Sequence, residues 1–343
     1  MNILFVTAPE GDYLADSLFI GLRSLLGSSV VDYPRYDALY ADFNPKSRAR
    51  LRGCGFTLYT GLLSSVEVDR FRIDHRLASG EFDLVIFGHI WRSWGLFMQW
   101  RQWLSPRNCI LLDGEDSPQV YPHAGLWWRK PSRWFVPRAT SGFLYYKREW
   151  TEDTQFNLWH RVAPRIVRRK LHTYRGLRQI AFSIPEQKII TGNPKKHADF
   201  ARHIVDPQVA QVISGSSARY AFTSERDYYE DLQASRFGVT MKRAGWDCLR
   251  HYEIAANGAV ICFRDLETKP TTCAPHGLIP DQNCLSYKTP SELFQKIAQL
   301  TLQQYANMRR ASLQWAQQNS CRNRATEVLQ MWKTYTDSTL SRV

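Results

Sequence analysis

Short apolar runs alternate with helical segments in the first third of the chain, and this alternation restricts the fold. The runs NILFVTA, SVVDYP, FDLVIFGHI and NCILLDGED fall in the first third of the chain and end in proline, glycine or acidic residues. Between the first two runs, helical spacing is kept by Leu14, Leu18, Leu22 and Leu25, and Gly27 gives a stop. Strands that alternate with helices are typical of an open parallel sheet, so this half is predicted to be α/β.

Ligands of open parallel sheets bind at the carboxyl ends of the strands. The same rule places residues 9–12, 88–89 and 113–116 near one cleft. Among them, His89 follows a glycine at the end of a clear strand and carries a side chain that titrates near neutral pH. Asp12, Asp113 and Glu115 supply carboxylates at neighbouring strand ends.

A second α/β unit is predicted to begin near Ser183. There FSIPEQKIITGNP gives a proline-marked linker, a strand KIITG and a glycine turn at Gly192. Helices around DPQVAQVIS and ERDYYEDLQA, the strand RFGVTM and the strand AVICF follow. The predicted domains are therefore 1–182, with a tryptophan- and arginine-rich insertion at about 91–180, and 183–343, which ends in helices from about Thr301.

The segment SRFGVTMKRAGWDCLRHYEIAANGAVICF, residues 235–263, has the clearest chemistry. A buried strand leads through a basic, glycine-containing loop into a helix that Asp247 is predicted to cap. The free N–H groups of a helix N-terminus suit a diphosphate, and Lys242 and Arg243 add positive charge. Glu253 lies about a turn and a half along the helix, where a carboxylate can accept two hydrogen bonds from a ribose diol.

This segment resembles the donor-binding motif of two-domain glycosyltransferases of the GT-B fold, in which a glutamate-bearing helix is followed by A-x-G and a strand. RHYEIAANGAVICF fits that pattern. The sequence of the segment is most similar to those of the spore-protein-type (CgeB-like) and exostosin-type enzymes. The resemblance implies two Rossmann-like domains facing a cleft, with Glu253 as the ribose ligand. It places at the donor Arg250, Lys242, Arg243, Gly245, Trp246, Asp247 and Gly192.

The resemblance also implies the chemistry. The co-substrate is a nucleotide-sugar, and no cofactor or metal is expected, although the DGED run would suit a divalent cation. Sugar transfer with inversion needs a general base from the N-terminal domain, and the candidates are His89, Asp12 and Asp113, with Glu115 beside them. Retention or inversion, the sugar and the nucleotide base stay open.

The middle of the chain bears on the acceptor. Nine of the 12 tryptophans lie between Trp91 and Trp159, and residues 161–178 are basic with apolar residues near helical spacing. Aromatic rings stack on sugars, and basic amphipathic stretches rest on anionic lipid, which favours a glycan or lipid-linked glycan acceptor. Two alternatives remain: a glucosyltransferase acting on a hydroxylated DNA base, and a non-enzymatic nucleic-acid-binding protein. The second lacks a recognised nucleic-acid motif.

The net charge and the cysteine content further limit the classes of protein that the sequence supports. The net charge of +13 favours anionic partners such as nucleotide phosphates, nucleic acid or a membrane face. The seven cysteines form no C-x-x-C pair, and GxGxxG and GxxxxGK[ST] do not occur, so zinc-finger, dinucleotide and P-loop interpretations lack support. The N-terminus lacks the features of a signal peptide, so a cytoplasmic protein that contacts the inner face of the membrane is expected.

Overall fold

The computed structural model describes residues 1–8, 10–48, 51, 58–121, 140, 142–151, 154, 164, 176–219 and 221–340. Within these residues, two parallel sheets form the framework. The first has the order β2-β1-β3-β4-β5-β6 and consists of β1 (Ile3–Val6), β2 (Val30–Tyr33), β3 (Leu84–Phe87), β4 (Cys109–Asp113), β5 (Leu144–Lys147) and β6 (Leu177–Gln179). The second has the order β10-β9-β8-β7 and consists of β7 (Ala198–Phe200), β8 (Ser235–Met241), β9 (Val260–Arg264) and β10 (Cys284–Tyr287).

The helices connect and cover these strands, as the predicted α/β class requires. They are α1 (Tyr13–Leu26), α2 (Pro45–Arg48), α3 (Ile73–Ala78), α4 (Trp94–Trp100), α5 (Pro207–Val212), α6 (Glu225–Ala234), α7 (Leu249–Ala256), α8 (Pro290–Gln299), α9 (Leu302–Gln318) and α10 (Cys321–Leu340). The predicted stop at Gly27 is confirmed, since α1 ends there with a φ of 57°. Thr289 caps α8 by accepting a hydrogen bond from the backbone of Glu292 at 3.2 Å.

Both faces of the first sheet are buried, which explains why its strands are almost continuously apolar. Phe5 packs with α1 on one face, and Phe87 packs with α4 on the other. Val239 and Val260 contribute to a separate core on the second sheet. Another cluster contains residues of both halves, among them Phe5 and Phe263, so the two halves also share a hydrophobic core.

The last helix links the two halves. α10 follows the second sheet in sequence but packs on α1, where Gly21 lies directly against the carbonyl of Cys321. Farther along α10, the Tyr335 hydroxyl donates to the carbonyl of Gly142 at 2.7 Å, and the Trp332 indole donates to the carbonyl of Arg107 at 2.7 Å. The boundary proposed near Ser183 lies between the sheets, yet the end of the 183–343 segment packs on the first half.

Replacing Gly21 with alanine is expected to lower the free energy of unfolding by about 1–3 kcal/mol, because an added Cβ overlaps the Cys321 backbone, which cannot move aside freely. Thermal unfolding measures this as a lower melting temperature. Gly95→Ala is the matched control, since Gly95 lies in a helix with open space around its Cα and should be neutral or slightly stabilised. Equal melting temperatures for the two variants would contradict the packing of α10 on α1.

Two sequence predictions of local structure are wrong. KIITG forms no strand: a 3₁₀ turn at Glu186–Lys188 leads into a loop, and the first strand of the second sheet is Ala198–Phe200. That strand is a short, largely exposed edge, so it lacks the apolar run that marks a buried strand. At the end of the predicted basic helix, Leu177–Gln179 is a strand paired with β5.

The remainder of that basic stretch lies largely outside the described residues, including Arg161, Arg165, Arg168, Arg169, Lys170 and Arg175. In the part of the chain that is described, none of the helices combines the length and the apolar character that crossing a bilayer demands.

Candidate active site between the two sheets

A cavity of about 720 Å³ lies between the two halves. In the first half its wall includes segments after β1, β2, β3, β4 and β5. In the second half it includes the segment after β7, the β8–α7 loop (residues 242–248) and the start of α7. These are the carboxyl ends of the strands, where open parallel sheets bind ligands. Of the residues predicted to share one cleft (9–12, 88–89 and 113–116), Gly88, His89 and Asp113 do not line this cavity. Those that do are Glu10, Gly11, Asp12, Gly114, Glu115 and Asp116.

The β8–α7 loop presents the N-terminus of α7 to the cavity. Cys248 is the N-cap, and its side chain makes no capping hydrogen bond. Cys248, Leu249 and Arg250 all line the cavity. A helix start without a side-chain cap leaves N–H groups and the positive end of the helix dipole for an anion.

The predicted capping role of Asp247 is wrong. One oxygen of its buried carboxylate accepts from the backbone N–H of Phe182 at 2.8 Å, and the other accepts from the Tyr252 hydroxyl at 3.0 Å. Burial raises the pKa of Asp247 to about 6, against the opposing charge of Arg148. Asp247 borders the cavity, but its carboxylate joins the β8–α7 loop to the linker between the halves.

Glu253 lines the cavity from α7, as its position in the sequence predicts. Its partly buried carboxylate accepts a hydrogen bond from the Tyr229 hydroxyl at 3.3 Å. Burial raises the pKa of Glu253 to about 7, and the charge of Arg250 opposes that rise. A carboxylate removed from water in this way gains most from a ligand that donates hydrogen bonds to its ionised form.

The other predicted donor residues divide into two groups. Arg243, Gly245 and Arg250 line the cavity. Lys242 and Trp246 do not: the Lys242 ammonium lies 5.0 Å from the centre of the Trp246 ring, which is buried against Phe263.

Gly192 is also far from the cavity. It lies exposed in the loop that precedes β7, next to Ile190, whose N–H donates to the carbonyl of Ala256 at the far end of α7. Gly192 is therefore near the amino ends of the strands of the second sheet, whereas the cavity lies at their carboxyl ends. The prediction failed because the strand that was to place Gly192 at its carboxyl end begins only at Ala198.

On the first half, His89 is buried beneath two carboxylates that line the cavity. Its Nε2 lies 3.0 Å from Glu115 and 3.8 Å from Asp12, while its Nδ1 accepts from the backbone N–H of Arg92 at 3.4 Å. The hydrogen bond from His89 lowers the pKa of Glu115. Asp12 also caps α1, accepting from Leu14 and Ala15.

Asp113, predicted as a candidate base, lies in the core. It is fully buried, and its carboxylate accepts from the Lys147 ammonium at 2.8 Å and from the Tyr145 hydroxyl. Asp113 is the last residue of β4, and its side chain is buried within the first half. The two residues that follow it, Gly114 and Glu115, line the cavity. A carboxylate that is buried and paired in this way does not reach the cavity, so Asp113 is not placed to act as the base there.

Several wall residues were missed by sequence reasoning. On the first half these are Asp16, Tyr36, Arg92 and Arg148, and on the second Arg219, Phe222 and Tyr228. The sequence spacing could have identified Asp16 as a wall residue, because it lies four residues after Asp12 on the same helix face. Burial, together with the charge of Asp12, raises its pKa well above the usual range. Arg219 comes from an irregular loop that no spacing rule identifies.

The described residues contain no group of three or more histidine, cysteine or acidic side chains arranged to hold a metal ion. The DGED run is spread over different contacts, since Asp113 pairs with Lys147 and Asp116 pairs with Arg148. The expectation of metal-independent chemistry stays a prediction.

No family model matches the chain, and no curated protein matches it. Solved structures do match over nearly the whole length. A glycosyltransferase from Rickettsia africae has a TM-score of 0.53 at 9% identity, covering 97% of this chain and 98% of that one. Alr3699/HepE from Anabaena, in complex with UDP-glucose, has a TM-score of 0.51 at 11% identity, covering 100% of both chains.

A sucrose-phosphate synthase from Thermosynechococcus elongatus has a TM-score of 0.51 at 12% identity, covering 98% of this chain and 100% of that one. At these identities the likeness concerns the fold. The predicted fold class, two α/β units with parallel sheets facing a cleft as in GT-B glycosyltransferases, is confirmed.

Proposed function

We propose that the protein transfers a glycosyl group from a nucleoside diphosphate sugar to a glycan or lipid-linked glycan. The observation that carries the proposal is the placement of Glu253 and the uncapped N-terminus of α7 in one cavity wall, opposite the carboxylates of the first half. The fold shared with the Rickettsia africae glycosyltransferase, and with Alr3699/HepE in complex with UDP-glucose, supports it.

The second half has the groups that a nucleoside diphosphate needs. Arg243 and Arg250 line the cavity beside the start of α7 and would neutralise the diphosphate, including the charge that develops when it leaves. Glu253 lies farther along α7 and would accept the hydrogen bonds of the ribose diol. This order along one helix matches the order of phosphate and ribose in the ligand.

The first half has the groups that an acceptor hydroxyl needs. Glu115 reaches the cavity, and a hydrogen bond from buried His89 holds its carboxylate. In the proposed step the hydroxyl oxygen bonds to the anomeric carbon, the bond from that carbon to the diphosphate oxygen breaks with its electron pair, and the proton goes to Glu115. His89 itself is the positioning residue in this assignment, because its buried ring faces Glu115.

For the acceptor, the support is the aromatic and basic composition of residues 91–180 and the net charge of +13. Tryptophan rings suit sugar faces, and a basic amphipathic stretch suits anionic lipid of the cytoplasmic membrane face. A glycan of the bacterial surface polysaccharide type fits both features.

The test is a thermal-shift titration with UDP, GDP, ADP, TDP and CMP. UDP is titrated first. One of the nucleoside diphosphates should stabilise the protein by about 2.7 kcal/mol at 100 times its dissociation constant, which raises the melting temperature by a few degrees. The matching nucleotide-sugar is then incubated with lipid-linked glycans and with hydroxylated duplex DNA, and the labelled product is counted. The absence of any nucleotide shift would contradict the donor site, and labelling of DNA alone would overturn the glycan acceptor.

A further inference from the structure

Arg148 and Glu149 follow β5 at the carboxyl end of the first sheet, yet most of their contacts are with other segments. Both side chains are buried, with 2% and 3% of their surface exposed. Buried charges of opposite sign cost free energy unless each is fully paired. The hydrogen-bond partners of Arg148 and Glu149 therefore indicate which segments the pair holds together.

Glu149 holds the β8–α7 loop of the second half. One carboxylate oxygen accepts from the backbone N–H of Trp246 at 2.9 Å and from that of Asp247 at 3.1 Å. The same oxygen accepts from Arg148 at 2.8 Å. Hydrogen bonds from backbone N–H groups to a buried carboxylate are among the stronger ones in proteins.

Arg148 ties the same loop to the first sheet. Its guanidinium donates to the carbonyl of Gly114 at 2.9 and 3.1 Å, to the carboxylate of Asp116, and to the carbonyl of Asp247 at 3.1 Å. It also lies over the Phe182 ring, 4.6 Å from the ring centre. Burial opposes its charge, but Asp247, Glu149 and Asp116 together raise the pKa of Arg148.

Gly245 shows how closely the two halves meet. A Cβ at this position would lie 2.5 Å from Glu149 Oε1 and 2.6 Å from Asp116 Oδ1. At Gly245 the nearest side chains are thus those of the first half. The N–H of Ala274 also donates to the carbonyl of Arg148 at 3.2 Å. A second loop of the second half therefore contacts the first half at the same place.

We propose that Arg148 and Glu149 are positioning residues for the phosphate end of the donor site. They hold the β8–α7 loop in its binding conformation from across the cleft, so residues of both halves build the phosphate end of the site. The inference rests on the proposed function, because it assigns the diphosphate to this loop. It separates the phosphate end from the ribose end, where Glu253 and Tyr229 belong to the second half alone.

The first measurement needs no ligand. Amide hydrogen exchange of residues 245–248 should accelerate about tenfold or more in Glu149→Ala, because two N–H groups lose their acceptor. Glu149→Gln keeps a carbonyl oxygen and should fall between this variant and the wild type. Glu81→Ala is the control, since Glu81 forms a surface ion pair with Arg76 within the first half. Unchanged exchange at 245–248 in both Glu149 variants would overturn the proposal.

The second measurement compares UDP with uridine, or the corresponding pair if the titration selects another base. In the Glu149 variants the affinity for the diphosphate should fall about tenfold, while the affinity for the nucleoside should change less than about twofold. A general loss of folding would weaken both ligands equally, and that result contradicts the positioning role. A wild-type protein that binds neither ligand contradicts the donor function instead, and the exchange measurement then decides the role of Glu149 alone.

Discussion

Replacing Glu115 with glutamine is expected to lower the turnover number by about 10²–10⁴-fold, the usual contribution of a positioned general base. The amide is nearly isosteric, and its carbonyl oxygen can still accept the hydrogen bond that His89 gives the carboxylate. What is lost is the ability to take a proton. The measurement is release of nucleoside diphosphate from the nucleotide-sugar that the titration identifies, with the affinity for the nucleotide measured in parallel and expected to stay unchanged.

Two further variants define what the result means. Glu10→Gln changes an exposed carboxylate on the same cavity wall and should keep nearly full activity. Asp12→Asn tests the other carboxylate near His89, which lies farther from the ring at 3.8 Å. If Asp12→Asn loses activity and Glu115→Gln keeps it, the base is Asp12 and the assignment to Glu115 is wrong.

A pH profile follows from the same contact. The hydrogen bond from His89 lowers the pKa of Glu115, so this base stays ionised below the usual range of a glutamate. The acidic limb of the turnover profile therefore should not report Glu115 near neutral pH. Such a limb has to come from another group, and the cavity wall offers Glu253, with a pKa of about 7, and Asp247, with a pKa of about 6.

Local sequence patterns predicted most of the framework, because its strands are buried on both faces and its helices carry capping signals. The segment from Ser235 to Arg264 folds as strand, loop, helix and strand, as its sequence indicates. The position of Glu253 in the cavity follows from the same local order. The pattern failed at β7, because an exposed three-residue edge strand has no apolar run to recognise.

Contacts between segments far apart along the chain were beyond sequence reasoning. Asp113 and Asp247 look alike in sequence, as acidic residues near a strand end and a helix start, but each is buried by partners distant along the chain. Lys147 neutralises the first, and the N–H of Phe182 holds the second. The roles of Arg148 and Glu149 likewise depend on contacts between residues 97 to 99 positions apart, a separation that no local spacing rule spans.

Donor affinity should depend on pH through Glu253. Burial raises the pKa of its carboxyl to about 7, so about half of the free protein carries the ionised form at neutral pH. A ribose diol donates hydrogen bonds and binds the ionised form best, so the dissociation constant should rise up to tenfold for each pH unit below 7. The measurement is calorimetric titration of the nucleoside diphosphate between pH 5.5 and 8.5, a range chosen to bracket that pKa by about 1.5 units on each side.

Glu253→Gln isolates this effect, because ionisation of the nucleotide phosphate changes both proteins alike. The variant should bind about 10–100-fold more weakly at pH 8 and lose most of the excess pH dependence. Without ligand the sign reverses. Since the folded pKa is raised, protonated Glu253 stabilises the wild type fully below the unfolded pKa, and this contribution is lost as pH rises through about 7. The glutamine variant should therefore gain stability relative to the wild type from pH 5 to 8. Parallel pH profiles for the two proteins, in both affinity and stability, would remove Glu253 from the donor site.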